Sequence, residues 1–171
     1  QSENLKFGAN DFTYCAWFNT SMKDPVTGRT ATIVAEDNNQ ISQRALSLVW
    51  VNGIPRGSFG VRDNAKEAAG LADDKNKVAD SRWHQLIGIR SGSTFKVAVD
   101  GKIVSVEENV AIASSDAGVP VRIGARAGSP ENPFFGLIDD VRIYNRALSA
   151  DEITALYDLE KPKTDLKKGL V

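Results

Sequence analysis

Phe135 to Glu160 reads FGLIDDVRIYNRALSADEITALYDLE, and within it the hydrophobic period changes from that of a strand to that of a helix. From Leu137 to Tyr144 the residues alternate, with Leu137, Val141 and Ile143 on one face and Ile138, Arg142 and Tyr144 on the other. Ser149 followed three residues later by Glu152 forms a capping box: the hydroxyl accepts from a free helix N–H, and the carboxylate accepts from the cap's own N–H. Leu148 and Ile153 supply a hydrophobic staple across it, and Asp151 and Glu152 sit where the helix dipole favours negative charge. Ile153, Leu156 and Tyr157 make an apolar stripe at helical spacing. The stretch therefore predicts a strand followed by one short amphipathic helix at about Ala150 to Leu159.

Working outward, apolar alternation recurs at Phe12 to Phe18, Ala45 to Val51, Ser58 to Val61, Trp83 to Ile89, Phe95 to Val99, Ile103 to Val106 and Val119 to Ile123. Many short strands separated by turn residues predict an all-β fold, a two-sheet antiparallel β-sandwich closed by the C-terminal helix. Asp100-Gly101 lies between Phe95-Val97-Val99 and Ile103-Val104, and Asp-Gly takes the positive φ angles of a tight hairpin. Asp63 to Asp80 lacks a strand period and is rich in Ala, Asp and Lys; it is expected to be a surface excursion with a helical turn through Ala65 to Leu71.

The run GLIDDVRIYNRALSADEITALY resembles the closing signature of laminin G-like and pentraxin-like domains of the concanavalin A-like superfamily. DFTYCAWFN, Asp11 to Asn19, resembles that family's early core strand, and SRWHQLIGIRSGSTFKVAVDGKIV, Ser81 to Val104, resembles its central hairpin. The resemblance covers most of residues 5 to 160 and implies a jelly-roll sandwich, with residues 1–160 as the domain and 161–171 as a linker or the start of a neighbouring one. In pentraxins the cysteine of the FTxC strand pairs with one on the strand after Trp-His, and Leu86 takes the matching position here. Cys15 is the single cysteine, so it reads as a small buried hydrophobe.

One domain is the default for 171 residues. With 21 Lys and Arg against 22 Asp and Glu, the formal net charge is −1, and the cations are scattered, which argues against a nucleic-acid partner. No apolar run approaches the roughly 18 residues of a membrane span, so membrane insertion is not expected. The chain lacks an initiating Met and a signal-peptide pattern, and is expected to be part of a larger multidomain chain.

Glycanases of this fold carry a Glu-x-Asp-x-Glu type of strand that sets two carboxylates on one face. Glu107-Glu108, Asp73-Asp74 and Asp139-Asp140 are adjacent pairs instead, and neighbours on a strand point apart. His84, the single histidine, opens a strand beside Trp83 and reads as structural. No enzyme activity is expected. Asp139 shares parity with Val141 and Ile143, which would aim its carboxylate at the apolar side, where an unpaired charge is costly. Two readings stand: a structural Ca2+ ligand with oxygens from Asn10 and Asp11 in the Gly8 to Asp11 turn, as the resemblance implies, or an acceptor of backbone N–H groups or a partner for Arg142.

The pentraxin calcium pair would fall at Gln43-Arg44 or Asp37-Asn38 and at Arg126-Ala127-Gly128, where its second acidic cluster is missing. These loops remain candidates for a glycan or cell-surface ligand, with Asp37, Asn38, Asn39, Arg44, Arg126, Glu131 and Asn132 as planar polar groups suited to sugar hydroxyls. The tryptophans read as core, with Trp50 the one nearest a rim. The expected function is a non-catalytic carbohydrate-binding module of a secreted or cell-surface protein; the alternative is a structural spacer or protein-interaction domain in an adhesin-like array.

Overall fold

The computed structural model describes residues 5–23, 30–37, 43–64, 66–73, 77–126 and 133–162. Ten strands appear among them: β1 (Phe12–Asn19), β2 (Thr30–Asp37), β3 (Gln43–Val51), β4 (Ile54–Arg62), β5 (Glu67–Leu71), β6 (Trp83–Ser91), β7 (Thr94–Val99), β8 (Lys102–Glu107), β9 (Arg122–Ile123) and β10 (Leu137–Tyr144), followed by helix α1 (Ala150–Glu160). They form two antiparallel five-stranded sheets, β10-β1-β6-β7-β8 and β5-β4-β3-β2-β9. The sandwich expected from the strand spacing is the observed architecture.

Alternation divides each strand of the first sheet between two cores. Phe12, Tyr14, Ala16 and Phe18 of β1 face the second sheet and join Leu46, Leu48, Trp50, Phe59, Val61 and Leu86 in the main core. Residues of the opposite parity, Cys15, Ile87, Ile89 and Ala98, face outward and are covered by Leu148 and Ile153 of the helical segment. The first sheet is thus buried on both faces, which explains why β1 and β6 read as near-continuous apolar runs.

Ser149 caps α1 in the predicted way: its side chain accepts from the Glu152 N–H at 3.2 Å, and Glu152 accepts from the Ser149 N–H at 2.8 Å. The Arg146 guanidinium, with the Ser149 N–H, holds the Glu152 carboxyl down at about 2. Asp100 and Gly101 have φ of +49° and +77° and turn β7 into β8, so that Val99 pairs with Lys102. Tyr157 packs over Gly101, where an added Cβ would lie 2.8 Å from the tyrosine Cβ, and Thr154 donates to the Gly101 carbonyl at 3.1 Å. His84 braces the same turn through Nδ1 to Asp100, at 2.8 Å, and Nε2 to Asp80, at 3.0 Å.

Four expectations are corrected. The segment expected to carry a helical turn contains strand β5, which pairs with β4 from Ser58↔Leu71 to Arg62↔Glu67; its weak propensity is overridden by that pairing. Strand β2, TATIVAED, was missing from the expected set; it is buried along nearly its whole length and so shows no alternation. The residue opposite Cys15 is Ile87 rather than Leu86, which faces the main core. In β10 a bulge opposite Ala16 places Asp140 at φ +47° and breaks parity: Ile138, Val141 and Ile143 pack on the main core, and Asp139 pairs with Trp17 on the outer face.

Candidate ligand trough on the open sheet

The outer face of the second sheet is not covered by the helix, and its registers build an ordered surface. Inward-facing residues of β3, Arg44, Leu46, Leu48 and Trp50, are buried, and the alternate set, Gln43, Ala45, Ser47 and Val49, points out. Pairing across β2, β3, β4 and β5 aligns these into rows. One row is Asp37–Gln43–Arg62–Glu67, the next is Ala35–Ala45–Gly60–Ala69, and the third is Thr32–Ser47–Ser58–Leu71. A β-bulge between Thr32 and Val34 keeps β2 in step with this lattice. The small side chains of the middle row leave a shallow trough of about 330 Å³, walled on one side by planar polar groups.

Arg126, two residues beyond the Gly124 turn that follows β9, reaches over this wall. Its Nε pairs with the buried carboxylate of Asp37, and its Nη2 donates to Gln43 Oε1 at 3.2 Å. Arg126 itself is one of the residues that line the trough. Thr32, a trough-lining residue only 1 % exposed, keeps its hydroxyl buried with no hydrogen-bond partner among the described residues. Arg62 Nε is likewise buried without a partner there. The site thus combines fixed donors and acceptors at its wall with unpartnered polar atoms buried beneath it.

The sequence-predicted residues fall out as follows. Asp37 and Arg126 are brought together as an ion pair although 89 residues apart. Arg44 does not reach the rim: it faces inward, fully buried, pairs with Glu36 and with Asp116 at 2.8 Å, donates to the Leu5 carbonyl at 3.0 Å and lies over the Phe7 and Phe12 rings. Its guanidinium anchors the N-terminal turn to the core. Asn38, Asn39, Glu131 and Asn132 lie outside the described residues. Gln43 stood among the positions matched to the pentraxin site; Arg62, Ser47 and Ser58 are new, and the polar parity of β3 and β4, Q-x-A-x-S and S-x-G-x-R, is the signal that carries them, whereas Thr32 and Glu67 enter only through strand pairing.

The three residues considered for calcium do not come together. Asp139 opposes Trp17, six residues along β1 from Asp11, a separation of about 20 Å at strand rise. Asp11 accepts from the Gly92 N–H at 2.7 Å, and Asn10 donates through its N–H to the Phe7 carbonyl at 2.8 Å. The turn holds a protein carboxylate instead, as the Phe7 and Gly8 N–H groups both donate to Asp116, at 3.0 and 2.9 Å. At that separation Asp139 does not share one ion with Asn10 and Asp11, and among the described residues no group of three or more His, Cys, Asp or Glu is placed to hold a metal. Trp50 is core, 2 % exposed, whereas Trp83 is half-buried at the surface.

The trough lies on a jelly-roll face that comparisons with known proteins place in a family. A profile of the concanavalin A-like lectin/glucanases superfamily matches residues 1–154. The chain belongs to this superfamily. No curated protein matches the sequence. Among solved structures, the chain is similar to a heptameric SAP-like pentraxin from Limulus polyphemus, at 16% identity and TM-score 0.67, covering 91% of this chain and 78% of that one. It is similar to the binding domain of Paraclostridial Mosquitocidal Protein 1, at 16% identity and TM-score 0.74, covering 93% of this chain but 39% of the other. It is also similar to domain 4 of an extracellular arabinanase from Geobacillus stearothermophilus, in complex with arabinotriose, at 21% identity and TM-score 0.64, covering 88% and 68%. At these identities the likeness to the three structures is one of fold.

Proposed function

We propose that the trough is a glycan-binding site and the chain a non-catalytic carbohydrate-binding module of a secreted or cell-surface multidomain protein. The observation that carries this reading is the row Asp37–Gln43–Arg62–Glu67, extended by Arg126, beside a row of small residues. Strands about 4.8 Å apart present planar side chains at a repeat suited to successive hydroxyl pairs, and the small row admits the sugar ring edge-on to the sheet. Thr32 Oγ1 and Arg62 Nε, buried and unpartnered among the described residues, belong to trough-lining side chains and would gain a bond from a hydroxylated ligand on a small side-chain rotation toward it. The arabinotriose complex of a domain with the same fold supports the choice of ligand class.

Glu67 is the one carboxylate among the trough-lining residues, and Asp37 is engaged by Arg126, so no pair is disposed to act as acid and nucleophile. That supports a binding role. Titration with neutral oligosaccharides, following amide chemical shifts, is expected to move Gln43, Ser47, Ser58, Gly60 and Ala69 together. Ser58→Trp, which fills the trough from the outer face, is expected to abolish the shifts. If no glycan moves these amides, the spacer reading takes its place.

A further inference from the structure

On the opposite side of the molecule, where α1 ends on the outer face of the first sheet, a recess of about 210 Å³ is lined by Trp17, Trp83, Asp139, Asp140, Glu160 and Pro162. Its walls come from strand register. Trp17 opposes Asp139 on β10 and Gln85 on β6, and Trp83 lies two residues before Gln85 on the same face. Adjacent residues of a regular strand point apart, yet Asp139 and Asp140 both reach this recess, because the bulge turns Asp140 to φ +47°. Glu160, the last residue of α1, adds the third carboxylate.

The electrostatics are one-sided. Arg142 is the cation engaged there, with Nη2 at 3.2 Å from Asp140 and Nη1 on Glu160. Lys161 pairs with Asp158 instead, at 2.7 Å. Among the described residues, three carboxylates against one guanidinium leave two negative charges, and the recess lies at the helix C-terminus, whose dipole is negative and whose last turn carries no basic residue. Glu160 accepts from Trp17 Nε1 at 2.8 Å and Gln85 Nε2 at 3.4 Å. A carboxylate only accepts, so Gln85 must turn its Nε2 toward it, and its Oε1, fully buried, stays without a partner among the described residues. One Asp139 oxygen accepts from the Asp140 N–H at 2.8 Å. Trp17 is stacked by Tyr157 at 5.6 Å, and the half-buried indole of Trp83 supplies the second aromatic wall.

Indole faces combined with surplus carboxylate select cations with an apolar stem. A bare metal ion would gain little from the indoles, and the acidic groups here are not disposed as a metal set. A neutral sugar would make no use of the surplus charge. We propose that this recess binds an organic cation, a primary ammonium or guanidinium head, with its stem against Trp83 and its head among Asp139, Asp140 and Glu160. The site is separate from the trough and does not depend on its function.

The test is a titration of the protein with n-butylammonium, methylguanidinium and Nα-acetyl-lysine methylamide, with n-butanol and sodium chloride at matched concentration as controls. Indole N–H shifts and tryptophan fluorescence are the readouts. Saturable shifts of Trp83 and Trp17, but not Trp50, are expected with the cations and not with the controls. Binding by the free amines points to a small ligand, and binding by the lysine derivative alone points to a side chain on a peptide. Asp139→Asn, at an exposed position, is expected to weaken binding by about two- to tenfold, and Trp83→Leu, which keeps an apolar wall, by about two- to fivefold. Equal response to butanol, saturation by neutral sugars instead of cations, no response to any cation, or unchanged affinity in both variants would overturn the proposal.

Discussion

His84 shows how one residue of a family-like motif acquires its physical meaning. Burial disfavours its charged form, but hydrogen bonds to Asp100 and Asp80 outweigh that and raise its pKa above the ordinary 6.5. Asp80 is opposed in the same way by burial and overcome by bonds from Arg82 and His84, which bring it down to about 2. The raised histidine contributes stability that is full below pH 6.5 and is lost as pH rises through its folded pKa. The lowered aspartate contributes stability that is full above 3.8 and is lost as pH falls towards 2. The melting temperature is therefore expected to be highest between about pH 4 and 6.5 and to fall as pH rises through the raised pKa of His84, and His84→Gln to flatten the alkaline limb. An unchanged limb in that variant would remove the imidazolium from this role. Trp-His and Val-Asp-Gly were legible as motifs in the sequence, but the bond joining them spans 16 residues and leaves no trace in local pattern. Arg44 shows the opposite limit: an arginine in a polar loop context reads as exposed, and only the pairing of β2 with β3 turns it inward against Glu36.

At the level of elements, those with strong local signals were readable and those defined by partners were not. Helix α1 carries its cap, staple and apolar stripe within one short segment, and Ser149→Ala is expected to cost about 1 kcal/mol, seen as a lower melting temperature. Strands β2 and β5 have no such signature: β2 is buried at every position after Thr30, and β5, EAAGL, is held by its ladder to β4. The bulge in β10 is equally silent, since one extra residue reverses the facing of every residue before it. Close sheet approach gives a sharper test. A Cβ at Gly88 of β6 would lie 2.1 Å from the Phe59 ring of the opposite sheet, so Gly88→Ala must displace a buried aromatic. The expected cost is about 1–3 kcal/mol, measurable by denaturant unfolding. The same substitution at Gly60, whose Cβ would stand 3.4 Å from the Gln43 amide on the trough floor, is expected to be far milder.

Across the whole molecule, helix α1 packs on the outer face of the first sheet and not on that of the second, and the proposed glycan trough lies on the face that α1 leaves free. On the covered face, Thr13 donates to the Arg146 carbonyl at 2.8 Å and accepts from the Leu148 N–H at 3.1 Å. The face with the trough keeps buried polar atoms, such as Thr32 Oγ1, that have no partner in the described residues. If those atoms serve a ligand, removing one should help folding while harming binding. Thr32→Val preserves shape and β-branching and deletes the hydroxyl, so unfolding free energy is expected to stay level or rise by up to about 1 kcal/mol. Glycan affinity, read from the same amide titration, is expected to fall roughly five- to tenfold, the equivalent of one hydrogen bond of about 1 kcal/mol or slightly more. A loss of stability in this variant, with affinity intact, would show that the hydroxyl serves the fold and that the trough floor is not where the ligand rests.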